Sequence, residues 1–167
     1  LARAVQGRPV RLQWMREDEF GWEPFGPAMV VRMEGSLDRS GKVASWHEQI
    51  WSNRHVTRPG RHANLGLLAA WHIDPAAEPP PAIDMPLATG GGSQRNALPY
   101  YDFPNERIVN HAVTSRPLRV GTLRALGAHL NVFAIESFMD ELAEAGGIDP
   151  VDFRLRHLKD ERARAVI

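Results

Sequence analysis

The sequence predicts an α+β fold, a two-layer sandwich in which a mostly antiparallel sheet carries helices packed on one face. Three observations lead there. Runs of alternating apolar and polar residues fill the earlier part of the chain, turn chemistry near residue 40 separates two of these runs, and helical periodicity is confined to the last third. Strands first and helices last segregate into layers instead of interleaving.

Taken in order, Arg8 to Met15 sets Val10, Leu12 and Trp14 against Arg11 and Gln13, the pattern of a half-buried strand, and an acidic loop, Glu17-Asp18-Glu19, follows. From Ala28 to Leu37 the alternation returns, with Val31, Met33 and Leu37 opposed to Arg32, Glu34 and Ser36. Asp38-Arg39-Ser40-Gly41 supplies a turn, and Val43 to Trp51 runs back as a second strand, giving an antiparallel hairpin. Residues 74–93 read as one long loop, because Pro75, Pro79, Pro80, Pro81 and Pro86 lead into Gly90-Gly91-Gly92. Arg107 to Val113 is another strand, and Leu118 to Thr122, after Pro117, extends the same sheet.

Val132, Ile135, Met139, Leu142 and Ala143 then recur at helical spacing, with Gly146-Gly147 as the stop. A second helix opens with Asp149 as N-cap and Pro150 at its first position, and its apolar side is Val151, Leu155 and Leu158.

With 167 residues, 43% of them hydrophobic, the chain is sized for a single domain with one core. Twenty basic side chains balance twenty acidic ones, so net charge directs the protein toward neither nucleic acid nor an anionic membrane. The absence of cysteine excludes thiolate metal sites and iron–sulfur ligation by these residues. No apolar run reaches the roughly 20 residues of a membrane span. The opening Leu1-Ala2-Arg3-Ala4-Val5 has no initiator methionine and no signal pattern, so the expectation is an internal stretch of a longer polypeptide.

Candidate chemistry is local. His47, His55, His62 and His72 fall in segments of different type with no helical i, i+4 pair, so no metal site is expected. No serine stands in a Gly-x-Ser-x-Gly elbow. Gly90-Gly91-Gly92-Ser93 lacks the lysine of a phosphate-binding loop and reads as a flexible connection, but Arg95 beside it has the geometry to clamp a carboxylate or carbonyl oxygen. Leu123 to Ala128 joins a strand to a long helix. Two readings stay open there: a junction whose backbone N–H groups face a ligand, or a plain turn in which Gly127 relieves strain. Glu136, Asp140, Glu141 and Glu144 read as a solvated helix face.

The run Leu118-Arg119-Val120-Gly121-Thr122-Leu123-Arg124-Ala125-Leu126-Gly127, with Asn131 to Ala143 after it, resembles the cofactor loop and following helix of the xanthine dehydrogenase and aldehyde oxidase family. It is most similar to the molybdenum-binding subunits of the isoquinoline oxidoreductase and nicotinate dehydrogenase branch. Asp149 to Leu158 resembles that family's next helix, and Arg8 to Asp18 an early strand and loop, so the likeness runs through nearly the whole chain.

The resemblance implies a molybdenum ion on a pyranopterin, in bacterial members commonly extended as a cytosine dinucleotide. It also implies oxidation of an aldehyde or N-heterocycle with oxygen from water. Electrons leave through an iron–sulfur subunit and then a cytochrome c subunit or another acceptor. Arg124, Ala125, Leu126 and Gly127 fall on the family's Arg-Gly-Phe-Gly loop; Arg124 and Gly127 match it, and Ala125 and Leu126 do not. Arg95, upstream of the family-like Asp102-Phe103-Pro104-Asn105, takes the place of a substrate-orienting arginine. The family's upstream glycine-rich loop and its catalytic glutamate have no counterpart in these residues. No catalytic residue is therefore assigned, and the chain alone is expected neither to retain cofactor nor to turn over. The competing reading is a non-catalytic scaffold or interaction domain of a degenerate relative, for which the departures at Ala125 and Leu126 leave room.

Overall fold

A computed structural model describes residues 2–56, 81–115 and 117–167, and its centre is a three-stranded sheet. Strand β1 (Met29–Leu37) runs antiparallel to β2 (Val43–Asn53), with Met29 opposite Ser52 and Leu37 opposite Val43. Asp38 builds the connection, its Oδ1 accepting from the N–H of Ser40 at 2.7 Å and of Lys42 at 3.0 Å. Gly41 completes the turn at φ 78°, where a side chain would be strained. The hairpin thus forms where the turn residues and the two alternating runs place it, and Val31, Met33 and Leu37 face inward as read from the sequence.

Strand β3 (Glu106–Val113) joins the other side of β2, running parallel to it, in the order β1-β2-β3. The long crossover between Asn53 and Glu106 makes that direction possible. Over one face of the sheet lies α2 (Ala128–Gly146), stopped by Gly147 in the left-handed conformation at φ 63°. After it come α3 (Pro150–His157) and α4 (Glu161–Val166), the last of which the sequence pattern did not disclose. The layering is the α+β arrangement expected. Among the described residues no helix is long and apolar enough to cross a membrane.

The core is aromatic. Trp46 on β2 stacks on Phe103 at 4.6 Å between centroids and meets the edge of Phe138 at 5.3 Å. Phe153 is fully buried and packs against the His157 ring at 4.6 Å. That ring links two layers: the Val43 N–H donates to Nε2 at 3.0 Å, which leaves the proton on Nδ1 to be donated to the Phe153 carbonyl at 2.8 Å. Burial holds the His157 pKa below its ordinary value, in keeping with a neutral ring.

Several expectations are corrected. Residues 8–15 form no strand and are exposed, since no strand among the described residues offers them a ladder, and the acidic loop is a helix, α1 (Arg16–Trp22). Asp18 accepts from the Met15 N–H at 3.0 Å, and three carboxylates in the first turn suit the positive end of the helix. Leu118 to Thr122 does not extend the sheet. Its backbone is engaged elsewhere, the Phe25 N–H donating to the Arg119 carbonyl at 3.0 Å and the Gly121 N–H to the Phe25 carbonyl at 3.0 Å, as an isolated parallel bridge of Phe25 with Val120.

Inward positions shift on both long-predicted helices. Val132 is 39% exposed, and Asn131 takes the buried place on that turn of α2. Val151 is also exposed and Leu155 half-buried, whereas Phe153 and His157, four apart, turn inward and Leu158 follows them. The part of the predicted long loop at 74–80 lies outside the described residues. Within 81–93 the chain makes a bridge from Ile83 to Val56 and a single 3-10 turn, Leu87–Thr89.

Because Phe153 fills the junction of α3 with the sheet layer, Phe153→Ala should cost about 3–5 kcal/mol in chemical denaturation, while Val151→Ala should change stability by less than about 0.5 kcal/mol. Equal losses would restore the face read from the sequence.

Candidate functional site

Two loops meet at the N-terminal end of α2. One is Gly90 to Arg95, the other Arg124 to Gly127. The Gly127 N–H donates to the Gly92 carbonyl at 3.0 Å, and the buried side-chain amide of Asn131 donates to the carbonyls of Ser93 and Arg95, both at 2.9 Å. A methyl group placed on Gly127 would sit 2.2 Å from the Ser93 oxygen and 2.8 Å from the Gly92 oxygen. Glycine is required at 127 by this close approach. Its φ is an ordinary −71°, so it is not relieving strain.

The strain lies immediately before it, where Ala125 and Leu126 hold φ values of 72° and 54°. The two readings left open for this junction are both modified by that geometry. The N–H groups of Leu126, Gly127 and Ala128 are already bonded to Leu123, Gly92 and Ala125 carbonyls, so they do not face a ligand. What the loop presents outward is the exposed Arg124 and Ala125, with Leu126 half-buried and Gly127 buried. Arg95 is on the other loop, its Nη1 3.7 Å from where a Cβ on Gly90 would stand. The structure thus brings Arg95's loop and the Arg124 to Gly127 loop together.

Beneath the loops is a polar cluster that sequence reasoning missed. Asp84 Oδ1 accepts from the N–H groups of His55 at 2.9 Å and Ser93 at 3.2 Å, and its Oδ2 accepts from the Ser93 hydroxyl at 2.5 Å. Asn110 on β3 donates to the same hydroxyl at 2.7 Å, and Thr122 donates to the His55 carbonyl at 2.8 Å. An aspartate shortly before the glycine run was the available signal, but nothing in its spacing tells of His55, Asn110 and Thr122 arriving from three other segments.

The remaining candidates fall elsewhere. His47 lies 3.5 Å from Glu34 on β1, and His55 is buried with Nε2 3.2 Å from the Ser52 hydroxyl. Burial lowers the His55 pKa. Among the described residues no three metal-ligating side chains converge, and His62 and His72 lie outside them. The solvated acidic face is corrected in part: Glu136 receives the Tyr101 hydroxyl at 3.0 Å and the Arg154 Nε at 2.8 Å, and Asp140 receives Arg154 Nη1 at 2.6 Å. These two acids tie α2 to α3, while Glu141 and Glu144 are not drawn into that network; Glu141 and Glu144 remain exposed. Burial and the Glu136 charge push the Tyr101 hydroxyl pKa up, so it stays a donor.

Glu48 is a different case. It stands on the inward face of β2 between Trp46 and Ile50, fully buried, with neither carboxyl oxygen hydrogen-bonded among the described residues. Burial, assisted by the nearby Glu106 charge, raises its pKa from 4.5 to about 8. The alternation Trp46, Glu48, Ile50 could have exposed it from the sequence.

Residues 64–158 match the family model described as the molybdopterin cofactor-binding domain. The chain is similar to a nicotinate dehydrogenase subunit of Pseudomonas putida, at 41% identity over 98% of this chain and 12% of the relative. An isoquinoline 1-oxidoreductase subunit of Brevundimonas diminuta is 29% identical over 100% of this chain and 19% of its own length. The molybdenum-binding subunit of an Escherichia coli aldehyde oxidoreductase is 27% identical over 92% and 17% respectively. The chain therefore spans between 12% and 19% of the length of these relatives.

Two outcomes follow for the isolated chain. Folded Glu48 keeps its proton up to about pH 8 while an unfolded glutamate releases it near 4.5, so the folded state binds more protons between those values. Glu48 should make stability fall as pH rises through that window, contributing a slope of at most about 1.4 kcal/mol per pH unit, and the difference between wild type and Glu48→Gln in pH-dependent denaturation should isolate that contribution from the opposite one of His55 and His157. At the loop junction, Gly127→Ala should destabilise by roughly 2–3 kcal/mol through its clash, whereas Ala125→Gly should gain about 0.5–1 kcal/mol by relieving its positive φ. Thermal denaturation of the two variants distinguishes them, and a gain for both would remove the case for close approach at Gly127.

Proposed function

This chain belongs to the molybdopterin cofactor-binding domain family, and we propose that it supplies, within a longer molybdenum-dependent oxidoreductase, a cofactor-contacting loop formed by Arg124, Ala125, Leu126 and Gly127. The observation that carries the reading is the Gly127 N–H bond to the Gly92 carbonyl at 3.0 Å, which seats that loop against the one bearing Arg95. Neither guanidinium has a carboxylate partner among the described residues, and both are exposed. An anionic, planar pterin with a phosphate-bearing extension suits such a surface, because an unpaired arginine offers charge-assisted hydrogen bonds to phosphate or carbonyl oxygen.

In this reading Arg124 holds the cofactor, in its cytosine dinucleotide form, and the left-handed backbone at Ala125 and Leu126 keeps the loop close to it. The group supplies, when bound, two-electron oxidation of an aldehyde or N-heterocycle with water as the oxygen source. Arg95 orients the substrate. The Pseudomonas putida relative is named for nicotinate, a carboxylated N-heterocycle, and a free arginine is matched to such a carboxylate. The substrate class proposed is accordingly a carboxylated N-heterocycle.

Base catalysis requires a group held within hydrogen-bond reach of the reacting centre, which the proposal places in the remainder of the large subunit. In this reading electrons pass to an iron–sulfur subunit and onward to a cytochrome c subunit or another acceptor; these residues, which include no cysteine, do not themselves hold a cluster. The isolated chain is inactive in this reading.

The full-length parent, produced with cofactor assembly factors, tests the assignment. Arg124→Ala should lower molybdenum per protein roughly tenfold by elemental analysis. Arg95→Ala should keep its molybdenum and raise KM for a carboxylated N-heterocycle roughly tenfold, with a smaller change in kcat. A wild-type parent devoid of molybdenum would sink the reading.

A further inference from the structure

Resting on the cofactor-loop reading above, we infer that Asp84 is a positioning residue that sets the spacing of the two loops at this site. One carboxylate does four things there. Oδ1 holds the His55 N–H at 2.9 Å, where β2 ends, and the Ser93 N–H at 3.2 Å. Oδ2 takes the Ser93 hydroxyl at 2.5 Å. Asp84 also occupies the space a side chain on residue 92 would need, with Oδ1 2.1 Å from the ideal Cβ position, so Gly92 is the residue that lets the carboxylate lie against the loop backbone.

Every polar group of Ser93 is thereby committed. Its N–H and hydroxyl go to Asp84, its hydroxyl also receives Asn110 at 2.7 Å, and its carbonyl receives Asn131 at 2.9 Å. The Gly92 carbonyl, one residue back, is the acceptor for the Gly127 N–H. Asp84 therefore reaches the Arg124 to Gly127 loop through a single peptide unit, Gly92-Ser93, and hydrogen bonds to an ionised acceptor are stronger than neutral ones. The far side of the loop is anchored by the same region, because Thr122, two residues before Arg124, donates to the carbonyl of the His55 whose N–H Asp84 holds.

A merely structural aspartate would lower stability throughout the domain. A positioning one should release the loops selectively. The test is made on the full-length parent with its partner subunits, comparing Asp84→Ala, Asp84→Asn and Ser93→Ala by hydrogen exchange at individual backbone amides and by molybdenum content. In Asp84→Ala, exchange at Ser93 and Gly127 should speed up by roughly tenfold or more while the amides of Met139 to Ala143 keep their protection. Molybdenum per protein should fall roughly tenfold in parallel, and Asp84→Asn, which retains an acceptor at Oδ1, should recover part of both. Ser93→Ala, which removes only the hydroxyl bonds, should fold if Asp84→Ala does not and should show the smaller change of the same kind. Unchanged exchange at Gly127 in both Ser93→Ala and Asp84→Asn, or an equal rise in exchange across all of α2, overturns the inference. Fast exchange at Gly127 with wild-type molybdenum would support the coupling by Asp84 and overturn the cofactor-loop reading instead, so the two failures are distinguishable.

Discussion

The approach of Gly127 to the backbone of Gly92 and Ser93 is the constraint on which the candidate site depends. At that separation no side chain fits at 127, so the two loops share one position and one hydrogen bond. Everything around it serves to hold that geometry. Asn131, buried on the first turns of α2, spans the carbonyls of Ser93 and Arg95, and Asp84 holds the Ser93 N–H in the preceding peptide unit. The strained backbone at Ala125 and Leu126 persists because its flanks are fixed in this way, as local strain requires of its surroundings.

The layers below are fastened by a small number of specific groups as well as by apolar packing. His157 bonds the start of β2 to α3, and Arg154 gathers Glu136 and Asp140 so that α2 and α3 are held together. Trp46 and Phe103 fill the space beneath them. Glu48 sits in that same interior without a hydrogen-bond partner among the described residues, and a buried acid in such surroundings keeps its proton where an exposed one would lose it. The cost of charging it is carried by the folded state alone, which couples the stability of the sheet layer to pH in the neutral range.

Much of the fold was legible because its signals are local. Asp38 to Gly41 is a turn by its own hydrogen bonds, the alternation in Met29 to Leu37 survives as an inward face, and Gly147 and Asp149 end and begin helices through their own backbone and side chain. Where the reading failed, the deciding partner was distant. Residues 8–15 alternate like a strand but find no neighbour to pair with among the described residues, and Leu118 to Thr122 is drawn to Phe25 and away from the sheet. Val132 and Val151 lost their expected burial because helical periodicity names a set of apolar residues without saying which flank meets the sheet, and Asn131 and Phe153 lie on the flank that does.

By itself the sequence determined the layered class, the hairpin, the long C-terminal helix and the family resemblance, because each is written in contiguous residues. It also pointed to Arg95 and to Arg124 through Gly127 as separate features. Only the tertiary structure decided that these belong together, and that Gly127 is glycine for close approach while its neighbours Ala125 and Leu126 bear the left-handed turn. Asp84, His55, Ser93, Asn110 and Thr122 converge from segments as far as 67 residues apart. Hydrogen bonds between such residues depend on three-dimensional position, and no periodicity or spacing along the chain encodes that position.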